Sequence, residues 1–481
     1  MRLDQGGVRD LRDLFEEKGF LLSPDLELGD DAKEFLKFLE RMPEKPLVVT
    51  RELYHKFKSR RKKGPNYKVL FSYEESKRKK VDINDWLIYF NKRYEKMSSL
   101  LRNRMEVKDA LSIDRLKSSS GRTQATLIAM VMDKRKTSKD NIILKLEDPT
   151  GVVNGIVSFR KRRVFEKAEE LLPDEVIGVV GVKSGNFFFI EDIIFPDIPQ
   201  KERKTSPVDG LAAFIADMHI GSKMFLKDHF ERFIKWLRGE IGNEKQKELA
   251  RRIKYLFILG DLVDGVGVYP EQYKELEIAD IYEQYSLFSK YVLQIPEDKI
   301  IFIMPGNHDA VRLEEPQPPI YKDLLEDVYE LDNVVMLSNP AYVNIHSYDD
   351  FPGFNVLLYH GYSFDFFVSN LEKLRAQGGY DASDKIMELA LRKRHLAPTF
   401  GAVPTAPLEE DHLVIEDVPD IFATAHIHKS KVGMYRNVTL LSASCWQSTT
   451  TFQERVGHHP EPGKVPIVDL KTGKVTVLNF I

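Results

Sequence analysis

The chain has 481 residues, 42% of them apolar and 30% charged, with a formal net charge of -3, which excludes a disordered polyelectrolyte and allows two or three domains. A single cysteine, Cys445, excludes an intramolecular disulfide and a thiolate zinc cluster and points to a reducing compartment. No apolar run approaches the roughly 20 residues that span a bilayer, and the acidic N-terminal stretch is no signal peptide.

The first region, residues 1–110, reads as helical and then basic. Apolar positions at spacings of three and four across residues 8–41 predict two helices, VRDLRDLFEEKGF and DDAKEFLKFLERM. Asp30 or Asp31 is placed to cap the second, and Pro43 lies just past its end. Residues 41–110 hold 20 Lys/Arg against 9 Asp/Glu, with the runs SRRKKG and SKRKK and a short helix expected around INDWLIYFNKRYEKMSSLLRNR. A segment of this kind meets nucleic acid or an acidic partner, or is a solvated lysine-rich face.

Residues 111–200 change character. TQATLIAMVMDKRK, NIILKLEDPTGVVNGIVSF and EVIGVVGVKSGNFFFIEDIIF read as strands broken by Gly, Asp-Pro and Ser-Gly turns, with one helix, RRVFEKAEELL, before the fourth strand. Five strands with a helix after the third is the order of an OB-fold β-barrel. Such barrels bind single strands by stacking and backbone charge, or dock proteins, and both uses stay open. Phe187, Phe188 and Phe189 offer an aromatic face, of which alternation buries at least one.

A polar linker at 197–207 leads into the third region, 201–481, where strands alternate with helices. DHFERFIKWLRGEIG and ADIYEQYSLFSKYVLQI are amphipathic, and VTLLSAS and PIVDLKTGKVTVLNF form a strand-rich end with Gly473 at a hairpin turn. The expected whole is a multidomain α+β and α/β chain ending in a layered α/β domain. Residues 392–408, RKRHLAPTFGAVPTAPL, form a long Pro-containing loop. Loops of that length are often functional, and His395 is its candidate contact to substrate.

Five short segments recur in order in this third region: Asp217-Met-His219, Gly260-Asp261-Leu-Val-Asp264, Gly306-Asn307-His308-Asp309, Tyr359-His360-Gly361 and His426-Ile-His428. Four directly follow the apolar runs LAAFIA, YLFIL, VLLY and IFATA, and the other follows IIFIM and a proline. Residues at i and i+2 of an extended chain face one side, so each pair can converge on one ion. Carboxylate, imidazole and amide oxygen suit Mn2+, Fe2+ or Zn2+, whereas this much histidine disfavours Mg2+ and Ca2+. One ion is expected from Asp217, His219, Asp261 and His428, the other from Asp261, Asn307, His360 and His426. Asp261 then bridges two divalent ions about 3.5–4 Å apart, the spacing that activates water for attack on a phosphoester.

His308 is the candidate to contact the scissile phosphate and protonate the leaving oxygen. Asp309 is expected to orient His308 through a carboxylate–imidazole hydrogen bond, and Asp264 to support the ligands from behind. Each fragment alone is more often a surface pair than a ligand set; five in order at strand exits reverse that reading. His346, His412, His458 and His459 lack such context.

At these motifs the chain resembles the calcineurin-like metallophosphoesterases, whose pattern is D-x-H, G-D-x-x-D, G-N-H-D/E, a lone His after a strand, and G-H-x-H. Ala425 stands where that pattern has its last glycine, and the lone-histidine motif is YHG. Together with the barrel ahead of it, the set ADMHIGSKMF, FILGDLVDGVGVYP, PGNHDAVR, LLYHGYSFDF, RKRHLAPTFGAVPTAP and ATAHIHKS resembles the small subunits of archaeal family D DNA polymerases over about residues 111–481. The resemblance implies a calcineurin-like phosphoesterase domain, a layered β-sandwich flanked by helices, at 201–481. It also implies a 3′→5′ proofreading exonuclease, active with Mn2+ on the DNA primer 3′ end. The implied partner is a large polymerizing subunit in a heterodimer, with a sliding clamp reached through that complex. It further implies an archaeal cytoplasmic protein at the nucleoid, with no membrane partner. The alternatives are a metallophosphoesterase or repair nuclease of the same superfamily acting alone, and a scaffold subunit without catalysis.

Overall fold

The computed structural model describes residues 12, 14–24, 26, 28, 29, 32–40, 42, 45–54, 57, 66–75, 80–348, 350–456 and 459–481. The start of the first expected helix, Asp30, Asp31, Pro43, all of SRRKKG, the first four residues of SKRKK and His458 lie outside them. The chain forms two compact units, Met1–Pro65 and Asn66–Ile481.

In the smaller unit the helix Ala32–Glu40 forms as its periodicity requires. A short strand, Leu21–Leu22, pairs in parallel with Val48–Val49 and interrupts what the sequence reads as helix over 8–41. Phe15, Phe20, Phe35, Leu39 and Tyr54 make its core.

The larger unit begins at Asn66, well ahead of the boundary expected at residue 110. Tyr67–Ser72, read as part of the basic region, is an edge strand antiparallel to Ala341–Ile345. A bulge opposite Tyr342 and Val343 lets Val69 and Phe71 pack into the cores on opposite sides of the sheet. The expected short helix is the 20-residue Ile83–Arg102, started by a capping box between Asp82 and Asp85. Its buried Met97 and Leu101 pack with Ile128, Met130 and Val176 of the barrel.

Thr123–Lys136, Ile142–Asp148, Gly151–Val157, Val176–Ser184 and Phe187–Ile194 close into a five-stranded barrel. The first strand pairs with the second and fourth, and the third pairs in parallel with the fifth. One helix, Arg162–Glu169, follows the third strand. Phe188 is buried inside, while Phe187 and Phe189 face out, 42% and 43% exposed.

Two six-stranded sheets lie beyond the barrel. The first has the order Val334–Met336, Ile300–Met304, Ile253–Leu259, Leu211–Ile215, Lys464–Asp469, Val475–Asn479, its first four strands parallel. The hairpin expected around Gly473 thus supplies an inner strand as well as an edge. The second sheet has the order Lys431–Tyr435, Val438–Ser442, Ile421–Thr424, Phe354–Tyr359, Ala341–Ile345, Tyr67–Ser72. The sheets share a core of Phe214, Phe257 and Phe302 with Val343, Val356, Leu358 and Ala423. Helices Lys227–Leu237 and Ile281–Val292 cover the outer face of the first sheet, and Phe364–Asn370 and Ser383–Lys393 that of the second. The layering is helix, sheet, sheet, helix, because the inner strands are apolar on both faces and must be covered twice. Among the described residues no helix is long and apolar enough to cross a membrane.

Candidate metal centre

All five segments leave their strands at one rim of the paired sheets. Leu259 and Met304 are level in register, as are Ile258 and Ile215. Tyr359 and Thr424 are level in the facing sheet. The ladder continues into the loops: Asp217 N–H donates to Gly260 O at 3.0 Å, His219 N–H to Asp261 O at 3.1 Å and Ala425 N–H to His360 O at 2.8 Å. The Ala425 methyl that departs from the glycine pattern is buried in the inter-sheet core.

Immediately past the strands the backbone turns left-handed, with φ of +50° at Asp217, +49° at His219 and Asp261, +69° at His426 and +57° at His428. Asp and His tolerate this region better than most residues, and such strain concentrates at functional sites. Gly306 is needed for close approach, since a Cβ there would collide with the Asp261 carboxylate and the His360 ring.

Three residues meet on one side. His219 Nε2 lies 3.1 Å from His428 Nε2, and Asp217 Oδ1 lies 3.7 Å from the same nitrogen. On the other side His360 Nε2 lies 3.0 Å from Asn307 Oδ1, and His426 belongs to the same ligand-distance group as His360 and Asp261. Asp261 stands between, its Oδ2 3.3 Å from His360 Nε2 and 3.7 Å from His219 Nε2. Two donors held by one ion at about 2.0–2.1 Å sit roughly 2.9–3.4 Å apart, so the 3.1 Å and 3.0 Å pairs match the spacing of shared ligation. Asp217 Oδ1 is buried and has no hydrogen-bond partner among the described residues. A carboxylate oxygen in that state calls for a cation.

The tautomers suit ligation. His219 Nδ1 lies 3.1 Å from Asp264 Oδ1, and His360 Nδ1 lies 2.8 Å from Leu259 O. Each ring donates Nδ1–H outward, so Nε2 is the nitrogen turned toward the centre. Burial lowers the titration of His428 and His219, favouring the neutral imidazole that binds metal. His360 is also buried, but the Asp261 and Asp217 carboxylates outweigh this and hold it up to about 10. Asp261 suffers the same burial and is held well below its usual range by His360 and His308. Asp217 is pushed up, first by burial and then by the Asp261 charge.

Asp264 is buried behind His219 and accepts from Gln272 Nε2 at 2.8 Å and Gln447 Nε2 at 3.1 Å, with His219 Nδ1 at 3.1 Å. His308 is half-buried, its N–H bound to Asp261 Oδ1 at 2.8 Å and its Nδ1 2.8 Å from Asp264 O. The expected Asp309–His308 bond is absent. Asp309 turns inward to accept from Gly306 N–H at 2.8 Å, Leu262 N–H at 3.3 Å and Tyr285 OH at 3.1 Å. It fastens two ligand loops together rather than orienting its neighbour, and burial with the nearby Asp261 charge pushes it up to about 7.

His395 is not at the centre. It is 2% exposed, with Nε2 2.9 Å from Asp411 Oδ2, an oxygen also held by Arg93 Nε at 2.6 Å. The loop is pinned at this position by a buried ion cluster, so His395 has no free face for substrate. His346, read as ordinary, is buried against Val208 O at 3.1 Å. Sequence reading missed Asp365, whose Oδ2 lies 3.0 Å from His426 Nε2, and Tyr285, which it did not single out from its amphipathic helix. Asp365 stands within LLYHGYSFDF, five residues after His360. That proximity was the available signal.

A family described as the B subunits of DNA polymerases alpha and epsilon matches residues 212–432. The DNA polymerase II small subunit of Methanothermobacter thermautotrophicus is 40% identical over 400 residues, 83% of this chain and 80% of its own length. That of Pyrococcus abyssi is 35% identical over 470 residues, 96% of this chain and 73% of its own. A solved archaeal phosphodiesterase is 13% identical over 56% of this chain and 99% of its own, with a TM-score of 0.26, too slight a likeness to bear on the fold. On sequence identity sustained over four-fifths of its length, the chain belongs to the archaeal DNA polymerase II small-subunit family, the small subunits of family D polymerases.

Proposed function

We propose that this chain is the 3′→5′ exonuclease subunit of a two-subunit DNA polymerase, hydrolysing the terminal phosphodiester of the primer strand at a two-ion centre. The observation that carries the reading is the position of Asp261 Oδ2, 3.3 Å and 3.7 Å from histidines of two separate ligand groups. In this reading Asp217, His219, Asp261 and His428 hold one ion, and Asp261, Asn307, His360 and His426 the other. When bound, two divalent ions such as Mn2+ supply an activated water and neutralise charge on the phosphate.

The chain's own groups do the rest. Asn307, His308 and His426 are the partly exposed members, so the scissile phosphate enters from their side. His308 gives its Nδ1–H to the Asp264 carbonyl, which leaves Nε2 to meet a phosphate oxygen and, when protonated, to pass its proton to the leaving 3′ oxygen. The 3′ polarity rests on the resemblance to family D small subunits. We read the closed barrel as an OB fold and the paired sheets with their helices as a calcineurin-like phosphoesterase domain. The large polymerizing subunit is the proposed partner, with a sliding clamp reached through it.

The test uses 5′-labelled primers with matched and mismatched recessed 3′ ends and Mn2+. Wild type should shorten them stepwise from the 3′ end, faster at the mismatch, while Asp261→Asn and His308→Ala should fall by orders of magnitude. Equal activity in all three proteins, or digestion from 5′ ends alone, would sink the reading. Cleavage of small phosphodiesters without any on DNA would favour a phosphoesterase acting alone.

A further inference from the structure

Three of the histidines that line the centre are anchored through one ring nitrogen, and they are not anchored alike. His219 and His360 each commit Nδ1, to Asp264 at 3.1 Å and to Leu259 O at 2.8 Å. His426 instead has Nε2 3.0 Å from Asp365 Oδ2. A neutral imidazole has one N–H and one lone pair on opposite nitrogens, so whichever nitrogen donates outward fixes the one left to bind. We propose that Asp365 is a positioning residue for the second ion: it holds the His426 Nε2–H and presents Nδ1, rather than Nε2, to that ion. The proposal rests on the two-ion reading above.

The surroundings of Asp365 fit the role. It lies in the first turn of the helix Phe364–Asn370, which starts four residues after the ligand His360, so one short segment supplies a ligand and the brace of another. Tyr362 packs edge-on to the His426 ring with centroids 5.5 Å apart, and His360 does so at 5.3 Å, which limits ring rotation. Tyr380 lies against the same carboxylate, and burial followed by the Asp365 charge pushes its phenol up. The side chain of Asp365 is 43% exposed, so it braces His426 from the open side of the centre. A competing account makes Asp365 only a favourable charge at a helix start. The two accounts differ in what asparagine does, because an amide oxygen still accepts the Nε2–H although the charge is gone.

The test is Mn2+ titration calorimetry on the full chain, with the visible spectrum of the Co2+-loaded protein as a second readout. Wild type should bind two ions. Asp365→Ala should bind the first ion as wild type does and the second roughly 10–100-fold more weakly, with an altered Co2+ spectrum and an unchanged metal-free thermal midpoint. Asp365→Asn should recover most of that affinity. Unchanged affinity for both ions in Asp365→Ala overturns the proposal, as does an Asp365→Asn protein no better than alanine. A wild-type protein that binds fewer than two ions overturns the two-ion reading itself, and this proposal with it.

Discussion

His308 and Asp309 are chain neighbours whose side chains serve different parts of the molecule. Asp309 points inward and takes hydrogens from Gly306, Leu262 and Tyr285; His308 stays at the open side, with its Nδ1 against the Asp264 carbonyl. On the proposed function, changing His308 is expected to remove chemistry without dismantling the centre. His308→Ala should lower turnover by about 10²–10⁴-fold while the Mn2+ isotherm keeps two sites. An isotherm reduced to one site would show that His308 is a ligand. The candidate ligands that the fold brings together were legible in the sequence, because only a few side-chain types hold such ions and they occurred in order. The direction of Asp309 was not, since adjacency in the chain does not say which way a side chain faces. Nor was the left-handed backbone at Asp217, His219, Asp261, His426 and His428, which arises from where the loops must turn.

At the scale of elements, strands deliver the site. Phe257 is in register with Phe214 on one side and Phe302 on the other, and their rings stack at centroid distances of 4.7 Å and 4.7 Å. This aromatic ladder sets three neighbouring strands level, so that the Asp217, Asp261 and Asn307 loops leave at one height. Gly306 then allows two of those loops to touch. Gly306→Ala should destabilise the fold by about 1–3 kcal/mol by overpacking and weaken Mn2+ binding, because the new methyl displaces Asp261 and His360 together. Urea unfolding and calorimetry check the two effects, and an alanine protein with wild-type metal affinity would contradict the claim of close approach. Strand exits were readable because apolar β-rich runs ended at each motif. The strand Tyr67–Ser72 was not, because it sits in a lysine-rich stretch and its pairing partner, Ala341–Ile345, lies far along the chain.

Across the larger unit, ion pairs centred on buried carboxylates tie the barrel to the sheets. Glu170 of the barrel binds Lys373 and Arg392, and Glu175 binds Lys393, which is 2% exposed. Arg93 and Asp411 make a similar tie from the long helix to the loop of His395, at 2.6 Å. The Glu175–Lys393 and Arg93–Asp411 pairs, buried on both sides, cost several kcal/mol to break from one side, so they hold a fixed arrangement of barrel, helix and site. The barrel's outward Phe187 and Phe189 and the metal centre thus belong to one compact unit of a polymerase small subunit. In that unit, five strand ends are proposed to assemble two ion sites that share Asp261. Anomalous diffraction from Mn2+-loaded crystals tests this most directly. The expected result is two peaks about 3.5–4 Å apart, one among Asp217, His219 and His428, the other among Asn307, His360 and His426, with Asp261 reaching both. A single peak, or a pair that Asp261 does not bridge, would contradict it.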